Sequence, residues 1–586
     1  MRARKLLVFS LLLVFSFGVS AQEAKEDAVK EKRERDLKLI EQILADAGNL
    51  RLPENRAFVY ARAGSALWLS DEKTARGLFQ EALAELNAAQ TEAQNEKVSN
   101  RQYFQNLIYG QMPRHDFINL IAVRDPALAL QYLEKSRPPV IADAMQKLLN
   151  DDTSALQQFA RNELLVEQRL LGLASEQNPT LLIKRLRESM KKSASYDTIT
   201  LLKKISAKDP ESANSLAAEL AESFLNLDFS KYSQTAEAAG YLVAELGKSP
   251  AKDEKPLKVA DDLLRRLVSK MTDDWLNPKT QQIYSFWNCS LVVEKLFPER
   301  AAQIKKKVET KTKQNQPEEA QRYSKLMASP ETPPEELIAQ AGKFQTAYSN
   351  EIYRAAASKY STLGNYAEAE KLIQSTISDE QSEYYLTNFY VNTSYQLAGQ
   401  GKFDEAGNYA DRIANEIQRV NALINLANAA YGRNPKENLK IAERFLNQAR
   451  ALIADPPQTQ NEIHAAIGLA SVYVTFDENE SFRLVDSMIP TLNEYVQAQF
   501  VMMKFQSFGG MRQGEIQISG GNMNVFGLEN TLRLLREKDF ERTLQLANGF
   551  NRPETRIWLQ MQLINDTLMP VNTEINTRRS VVFNNR

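Results

Sequence analysis

The sequence predicts an all-α superhelix, a solenoid of stacked helical hairpins with one small Gly-rich non-helical insertion, and three observations predict it. The pattern Gly364-Asn365-Tyr366-Ala367-Glu368-Ala369 recurs 37 positions later as Gly401-Lys402-Phe403-Asp404-Glu405-Ala406. Self-similarity at a fixed period marks supersecondary units that bury their apolar faces by stacking on one another. Helix-start signals recur at Asp125-Pro126, Asn178-Pro179, Asp209-Pro210 and Asn434-Pro435. In each, the Asx side chain can accept from early helix amides while proline fits the first turn without loss of a needed N–H. Strand signals are nearly absent.

The elements follow in chain order. Met1-Arg2-Ala3-Arg4-Lys5, the apolar run Leu6 to Val19 and the small residues Val19-Ser20-Ala21 have the form of a secretory signal peptide over residues 1–21. The apolar core of about 14 residues is short of the roughly 20 that span a bilayer as a helix. A mature chain beginning near Gln22, exported to a bacterial periplasm or the extracellular space, is therefore expected. No cysteine follows the cleavage point to carry a lipid, and no later segment is long and apolar enough to span a membrane. Residues 22–36 carry acids and bases with almost no apolar side chain and are expected to form a solvated lead-in to the first packed helix near Leu37 to Leu44.

Residues 37–325 form the expected N-terminal α-helical repeat region, with further helix starts at Ser70-Asp71-Glu72 and Asp151-Asp152-Thr153. A Pro-rich linker is placed at 326–336, where Pro330, Pro333 and Pro334 follow Pro317. The C-terminal repeat region spans 337–569 and contains a Gly-rich loop at 507–527, which holds six of the 22 glycines and cannot be helical throughout. Glu515 to Ser519 and Asn522 to Phe526 are expected to pair as a hairpin across Gly520-Gly521. The loop has neither GxGxxG nor GxxxxGK[ST], which argues against phosphate cradling. Residues 570–586 form a polar tail.

Within the repeat, Tyr366, Ala369 and Ile373, like Phe403, Ala406 and Ala410, fall at i, i+3 and i+7 and share one helix face. Glycine two residues before the aromatic suits a turn with positive φ, and the alanine permits close helix approach. A third copy, Phe540 to Ala547, runs in register with Phe403 to Ala410 and continues through Ile413/Phe550, Arg419/Arg556 and Val420/Ile557, with Lys538 in the glycine's place. This Gly-x-aromatic-x-x-Ala order resembles the tetratricopeptide repeat family. The resemblance covers two repeats, those of Gly364 and Gly401, and implies tetratricopeptide-like helical hairpins that bind protein or peptide on a concave surface.

Composition excludes several functions. Without Arg2, Arg4 and Lys5 the 73 basic side chains fall to 70 against 74 acidic, a formal charge of −4, which argues against nucleic acid as a partner despite basic runs at Lys184 to Lys192 and Lys305-Lys306-Lys307. The lone cysteine, Cys289, can form no internal disulfide and is expected to pack as a small hydrophobe among Ile283, Phe286, Trp287, Leu291 and Val292. The two histidines, His115 and His464, stand in no metal-ligand or nucleophile motif, so no catalytic residue, metal or cofactor is assigned. His115 beside Asp116 reads as an exposed or capping side chain.

The candidate ligand-binding residues are Tyr384, Tyr390, Tyr395, Asn392 and Asn421. Tyrosine combines large contact area with a polar tip, and a carboxamide can bond peptide backbone. Tyr385 and Phe389 belong to the same aromatic run, part of which must pack between helices. The function expected is noncovalent binding of protein or peptide by an exported scaffold. The alternative is an all-α carbohydrate-active enzyme or glycan-binding protein, with Asp273-Asp274-Trp275 as its acid pair and sugar platform, although two acids before an apolar residue also suit a helix N-cap.

Overall fold

The computed structural model describes residues 30–95, 114–146, 148, 155–174, 179–229, 233–248, 255–278, 280, 283, 285–315, 318–376, 379–506, 511–512, 515–518 and 525–564. The expected signal peptide, the 570–586 tail, most of the 507–527 loop, Asn178 and Asp151-Asp152-Thr153 lie outside the described residues. The chain forms two compact units. One holds the described residues of 52–315, and the other combines residues 30–51 with those of 318–564. Both are built of helices packed in neighbouring pairs, the arrangement of an all-α solenoid.

In the unit formed by 52–315, the hairpin of helices Pro53–Leu67 and Glu72–Asn95 opens the array. Its helices touch closely because Gly64 has no side chain. A Cβ there would lie 2.9 Å from the Phe79 ring. Later helices alternate between two layers. Ala155–Ala174, Tyr196–Lys208, Ser233–Leu246 and Ser285–Leu296 pack successively in one. Pro179–Met190, Pro210–Leu225, Asp261–Leu276 and Pro298–Asn315 pack successively in the other. Leu202, Leu216, Leu242, Leu267 and Phe286 are fully buried between the layers.

The helix starts follow the sequence signals. Asp125 accepts from the Leu128 amide at 2.9 Å, Asp209 from Ser212 at 3.1 Å, Asn434 from Glu437 at 3.4 Å and Asp71 from Thr74 at 3.0 Å. These bonds satisfy amides that the first turn leaves without partners.

The second unit repeats the two-layer plan. Its first layer runs through Thr346–Thr362, Asp379–Gly399, Glu416–Arg433, Gln460–Phe476, Leu528–Leu535 and Pro553–Gln562. The second helices of the hairpins are Tyr366–Thr376, Phe403–Ala410, Pro435–Ala451, Glu478–Gln506 and Phe540–Asn548. Gly364 and Gly401 have φ of 82° and 83°, the left-handed conformation that a side chain resists, and they close the first helices of their hairpins. Ala369, Ala406 and Ala410 are wholly buried, as are Thr543 and Ala547 in the third copy. That copy also keeps a polar contact. Arg419 donates to the Ile413 carbonyl at 2.9 Å, and Arg556 to the Phe550 carbonyl at 3.2 Å, each six residues back.

Two expectations are met only in part among the described residues of this unit. Residues 30–36 belong to a helix described over 30–47, in which Lys30, Glu31, Arg33 and Glu34 are exposed, as expected of a solvated lead-in, while three of its side chains are engaged. Asp36 is buried, Lys32 pairs with Glu537 at 2.8 Å and the Arg35 guanidinium lies 3.7 Å from the Phe540 ring centroid. The charged composition hid this because long basic stems pack on rings while their heads find partners. In the Gly-rich segment, the described strands are Met511–Arg512 and Glu515–Ile516, paired antiparallel with Met511 opposite Ile516. Gly520-Gly521 and Asn522 to Asn524, on which the expected hairpin depends, lie outside the described residues. Ile518, Val525 and Phe526 are buried, and Phe526 and Gly527 both take positive φ. No helix among the described residues is long and apolar enough to cross a membrane.

Candidate functional site

On the first-layer helices of the second unit, exposed side chains among the described residues form a stripe. On Asp379–Gly399, Tyr384, Asn388, Asn392 and Tyr395 follow at spacings of four, four and three residues, which places them on one face. All are exposed, Tyr384 by 65% and Tyr395 by 37%. On the neighbouring helix Glu416–Arg433, Asn421, Asn425 and Asn428 repeat the spacing and are exposed. Asn421 and Asn425 lie 37 positions after Tyr384 and Asn388, so the sequence repeat aligns the rows of adjacent helices. Asn425 Nδ2 donates to the Tyr395 hydroxyl at 2.7 Å and ties the two rows together. On the next helix, Gln460–Phe476, Asn461 and His464 are exposed, as are Gln460 and Thr475 at its ends.

The stripe contains phenols and carboxamides and no charged side chain. Each carboxamide offers two N–H donors and one acceptor oxygen, the complement of a peptide group. Asparagine is also a poor helix former, costing about 0.6 kcal/mol relative to alanine at an interior position. The five asparagines 388, 392, 421, 425 and 428 together oppose their helices by about 3 kcal/mol, and their exposure means that packing does not require them.

Four of the five predicted residues, Tyr384, Tyr395, Asn392 and Asn421, belong to this surface. Tyr390 does not. It is buried on another face, where its hydroxyl donates to Glu370 Oε1 at 2.8 Å and the Arg412 guanidinium lies 4.7 Å from its ring centroid. Arg412 is also ion-paired with Glu370. Burial, reinforced by the Glu370 carboxylate, pushes the Tyr390 hydroxyl up to about 12. Tyr385 similarly donates to Glu351 at 2.9 Å, and Phe389 is buried. Alternate positions of the aromatic run thus serve packing and surface. Asn388, Asn425 and Asn428 were missed, although the 37-residue offset combined with the i, i+4 spacing marks them.

The other leads resolve differently. Asp273 and Asp274 lie in the last turn of Asp261–Leu276 and cap no N-terminus. Asp274 accepts from Lys270 at 2.6 Å and from the Phe229 amide at 3.1 Å, Asp273 pairs with Arg300 at 2.9 Å, and Trp275 is buried. The motif is therefore engaged within the fold and offers no exposed ring for a sugar. Lys307, from the basic run, donates to the carbonyls of Trp275 and Asn277 at 2.8 and 2.7 Å and closes the same helix end.

His115 has Glu163 as its partner, with Nε2 3.2 Å from Oε2, at the margin of a buried ion network. Arg114, wholly buried, donates to both Glu163 oxygens at 2.7 and 2.8 Å and to Ser136 Oγ at 2.8 Å. Arg137 bridges Glu163 at 2.9 Å and Glu167 at 2.7 Å. Burial alone would push the Glu163 carboxyl up. The charge and hydrogen bonds of Arg114, with those of His115, outweigh it and hold the group well below the usual carboxylate range.

Cys289 is buried as expected, and burial pushes its thiol up to about 12. Its expected neighbours Trp287 and Leu291 are exposed instead, because they occupy the opposite side of helix Ser285–Leu296 from Phe286, Cys289 and Val293.

The stacked hairpins and their open polar stripe define a helical-repeat protein of a kind suited to act as a binding scaffold. No family model and no curated protein matches the chain. Among solved structures, a circular tandem repeat protein with novel repeat topology and enhanced subunit contact surfaces matches at 13% identity and a TM-score of 0.18, covering 92% of this chain and 100% of its own. A TM-score of that size carries no shared topology, so the assignment to helical repeats rests on the packing and the internal repeat described above.

Proposed function

We propose that the protein is an exported scaffold of tetratricopeptide-like hairpins that binds protein or peptide noncovalently, with the stripe on helices Asp379–Gly399 and Glu416–Arg433 as its contact surface. The observation that carries this reading is the row of exposed asparagines flanked by Tyr384 and Tyr395, aligned between adjacent helices by the 37-residue repeat. Carboxamides four residues apart on a helix rise about 6 Å. An extended peptide repeats every two residues at about 6.6 Å. Alternate peptide groups can therefore meet successive carboxamides, while Tyr384 and Tyr395 supply apolar area at the two ends of the row. The signal-peptide pattern of residues 1–21 supports export, to the periplasm or beyond the cell.

The test is selection of twelve-residue peptides from a random display library on the full chain. The reading requires that selected peptides bind wild type and lose about tenfold or more in the Asn392→Ala/Asn421→Ala variant, the scale of hot-spot loss in an interface. Peptides that bind both proteins equally, or failure to select any, would remove the stripe as the contact surface.

A further inference from the structure

The asparagine stripe continues onto a third helix. Glu416–Arg433 and Gln460–Phe476 pack side by side in the first layer, and a shift of 43 positions superposes their buried faces: Val420, Leu426 and Ala430 correspond to Ile463, Leu469 and Tyr473. The same shift takes Asn421 to His464, Asn425 to Gly468 and Asn428 to Ser471. His464 is exposed, and Gly468 and Ser471 are half-buried. The asparagine row of one helix thus stands beside the row of His464, Gly468 and Ser471 on the next. The His464 ring meets Phe526 edge-on with centroids 5.4 Å apart, and Phe526 packs on Tyr495 at 4.5 Å. These rings hold the imidazole in place. A neutral imidazole has one donor and one acceptor nitrogen, so it can continue the bonding pattern that the carboxamides begin.

Gly468 is the ninth of the 17 residues of its helix. Glycine in a helix interior costs about fivefold in the folding equilibrium relative to alanine. At Gly407, in the same unit, packing accounts for that cost, because a Cβ would lie 3.1 Å from the Phe445 ring. At Gly468 the nearest atom beyond its own helix would be Ile424 Cδ1, at 4.0 Å, which is an ordinary contact. The fold has room for alanine there. The space that glycine leaves open lies on the half-buried surface beside Asn425, and a missing side chain is what the close approach of another main chain requires.

Resting on the peptide-binding reading of the stripe, we propose that Gly468 is the point at which the main chain of the bound peptide comes closest to the protein, and that His464 bonds one of its peptide groups. The peptide runs along helix Glu416–Arg433, with Asn421 and Asn425 on one side of it and His464 and Gly468 on the other. His464 and Gly468 are four residues apart, a rise of about 6 Å. Peptide groups of like orientation in an extended segment repeat at about 6.6 Å. One such group therefore meets the imidazole while the next passes over the gap at Gly468. Main-chain bonds supply the affinity in this mode, so the partner is an extended segment read through its peptide groups.

The test uses the full chain and the twelve-residue peptides selected on it by display, with calorimetry for affinity and urea denaturation for stability. Gly468→Ala should shift the unfolding equilibrium about fivefold toward the folded state and weaken peptide binding. Gly468→Leu should weaken binding about tenfold or more. His464→Ala should lose about fivefold, the scale of one hydrogen bond, and His464→Gln, which keeps a donor and an acceptor, should retain the affinity. Two failures are told apart by Asn392→Ala/Asn421→Ala. If no peptide is selected, or if that variant binds as wild type does, the stripe is not the contact surface and the role of Gly468 falls with it. If that variant loses the peptide while Gly468→Leu binds it as wild type does, the stripe stands and the proposal for Gly468 is overturned. A Gly468→Ala chain less stable than wild type also overturns it, because packing would then require the glycine.

Discussion

Glu163→Gln is the substitution whose cost follows most directly from the structure. The change keeps the shape of the side chain and removes its charge, taking from the buried Arg114 guanidinium the carboxylate that meets it with two bonds and from Arg137 one of its two carboxylate partners. Removing one partner of a buried ion pair costs about 3–5 kcal/mol. For a unit of this size, 1 kcal/mol moves the melting temperature by about 2–4 °C, so a fall of roughly 6–20 °C is expected in the transition of the 52–315 unit. Acidity supplies a second signature. The folded carboxyl is held below its unfolded value, so its stabilisation is complete above about pH 4.3 and is lost as pH falls below that, toward the depressed folded value. Wild type should therefore approach the variant in stability as pH drops from 5 toward 2. Scanning calorimetry across that range checks both signatures. A melting shift under about 2 °C at neutral pH, or a gap that does not narrow in acid, would refute the assignment of Glu163 as the charge holding Arg114 in the core.

Other outcomes follow from particular contacts. Gly240→Ala would place a Cβ 2.7 Å from the Ser285 carbonyl oxygen, forcing helices Ser233–Leu246 and Ser285–Leu296 apart, and should cost about 1–3 kcal/mol by urea denaturation. Cys289, buried with its thiol pushed up to about 12, should resist a disulfide reagent at pH 8 in the folded chain and react fully in denaturant. Tyr390→Phe removes a bond to the Glu370 carboxylate and should cost about 1 kcal/mol or more. Tyr384→Ala, at an exposed position, should stay within about 0.5 kcal/mol of wild type. Parallel chemical denaturation compares the two tyrosines.

The helical hairpins were legible because their signals are local. The glycines before Tyr366 and Phe403 take the predicted positive φ, and three Asx-Pro pairs cap the helices they precede. What escaped depends on contacts distant in sequence. Lys32 and Arg35 of the charged stretch are engaged because Glu537 and Phe540 wait some 500 residues away. His115 faces Glu163 from a different helix, a pairing that its neighbour Asp116 obscured. The candidate surface was read in part for a related reason. Tyr384 and Tyr390 belong to one aromatic run, and only the positions of Glu370 and Arg412 on other elements decide that Tyr390 is buried. Trp287 and Leu291 were misjudged because a short apolar helix with Phe286 and Val293 on one side gives no sign that its other side lacks a cover.

The central claim, that the asparagine row is retained for binding, is tested most directly by measuring stability and peptide affinity together in Asn392→Ala/Asn421→Ala. Alanine is the better helix former at both exposed positions, so the variant should gain about 1 kcal/mol of stability while a selected peptide binds about tenfold more weakly. A variant that is more stable and binds the peptide as wild type does would show the row to be an ordinary solvated face.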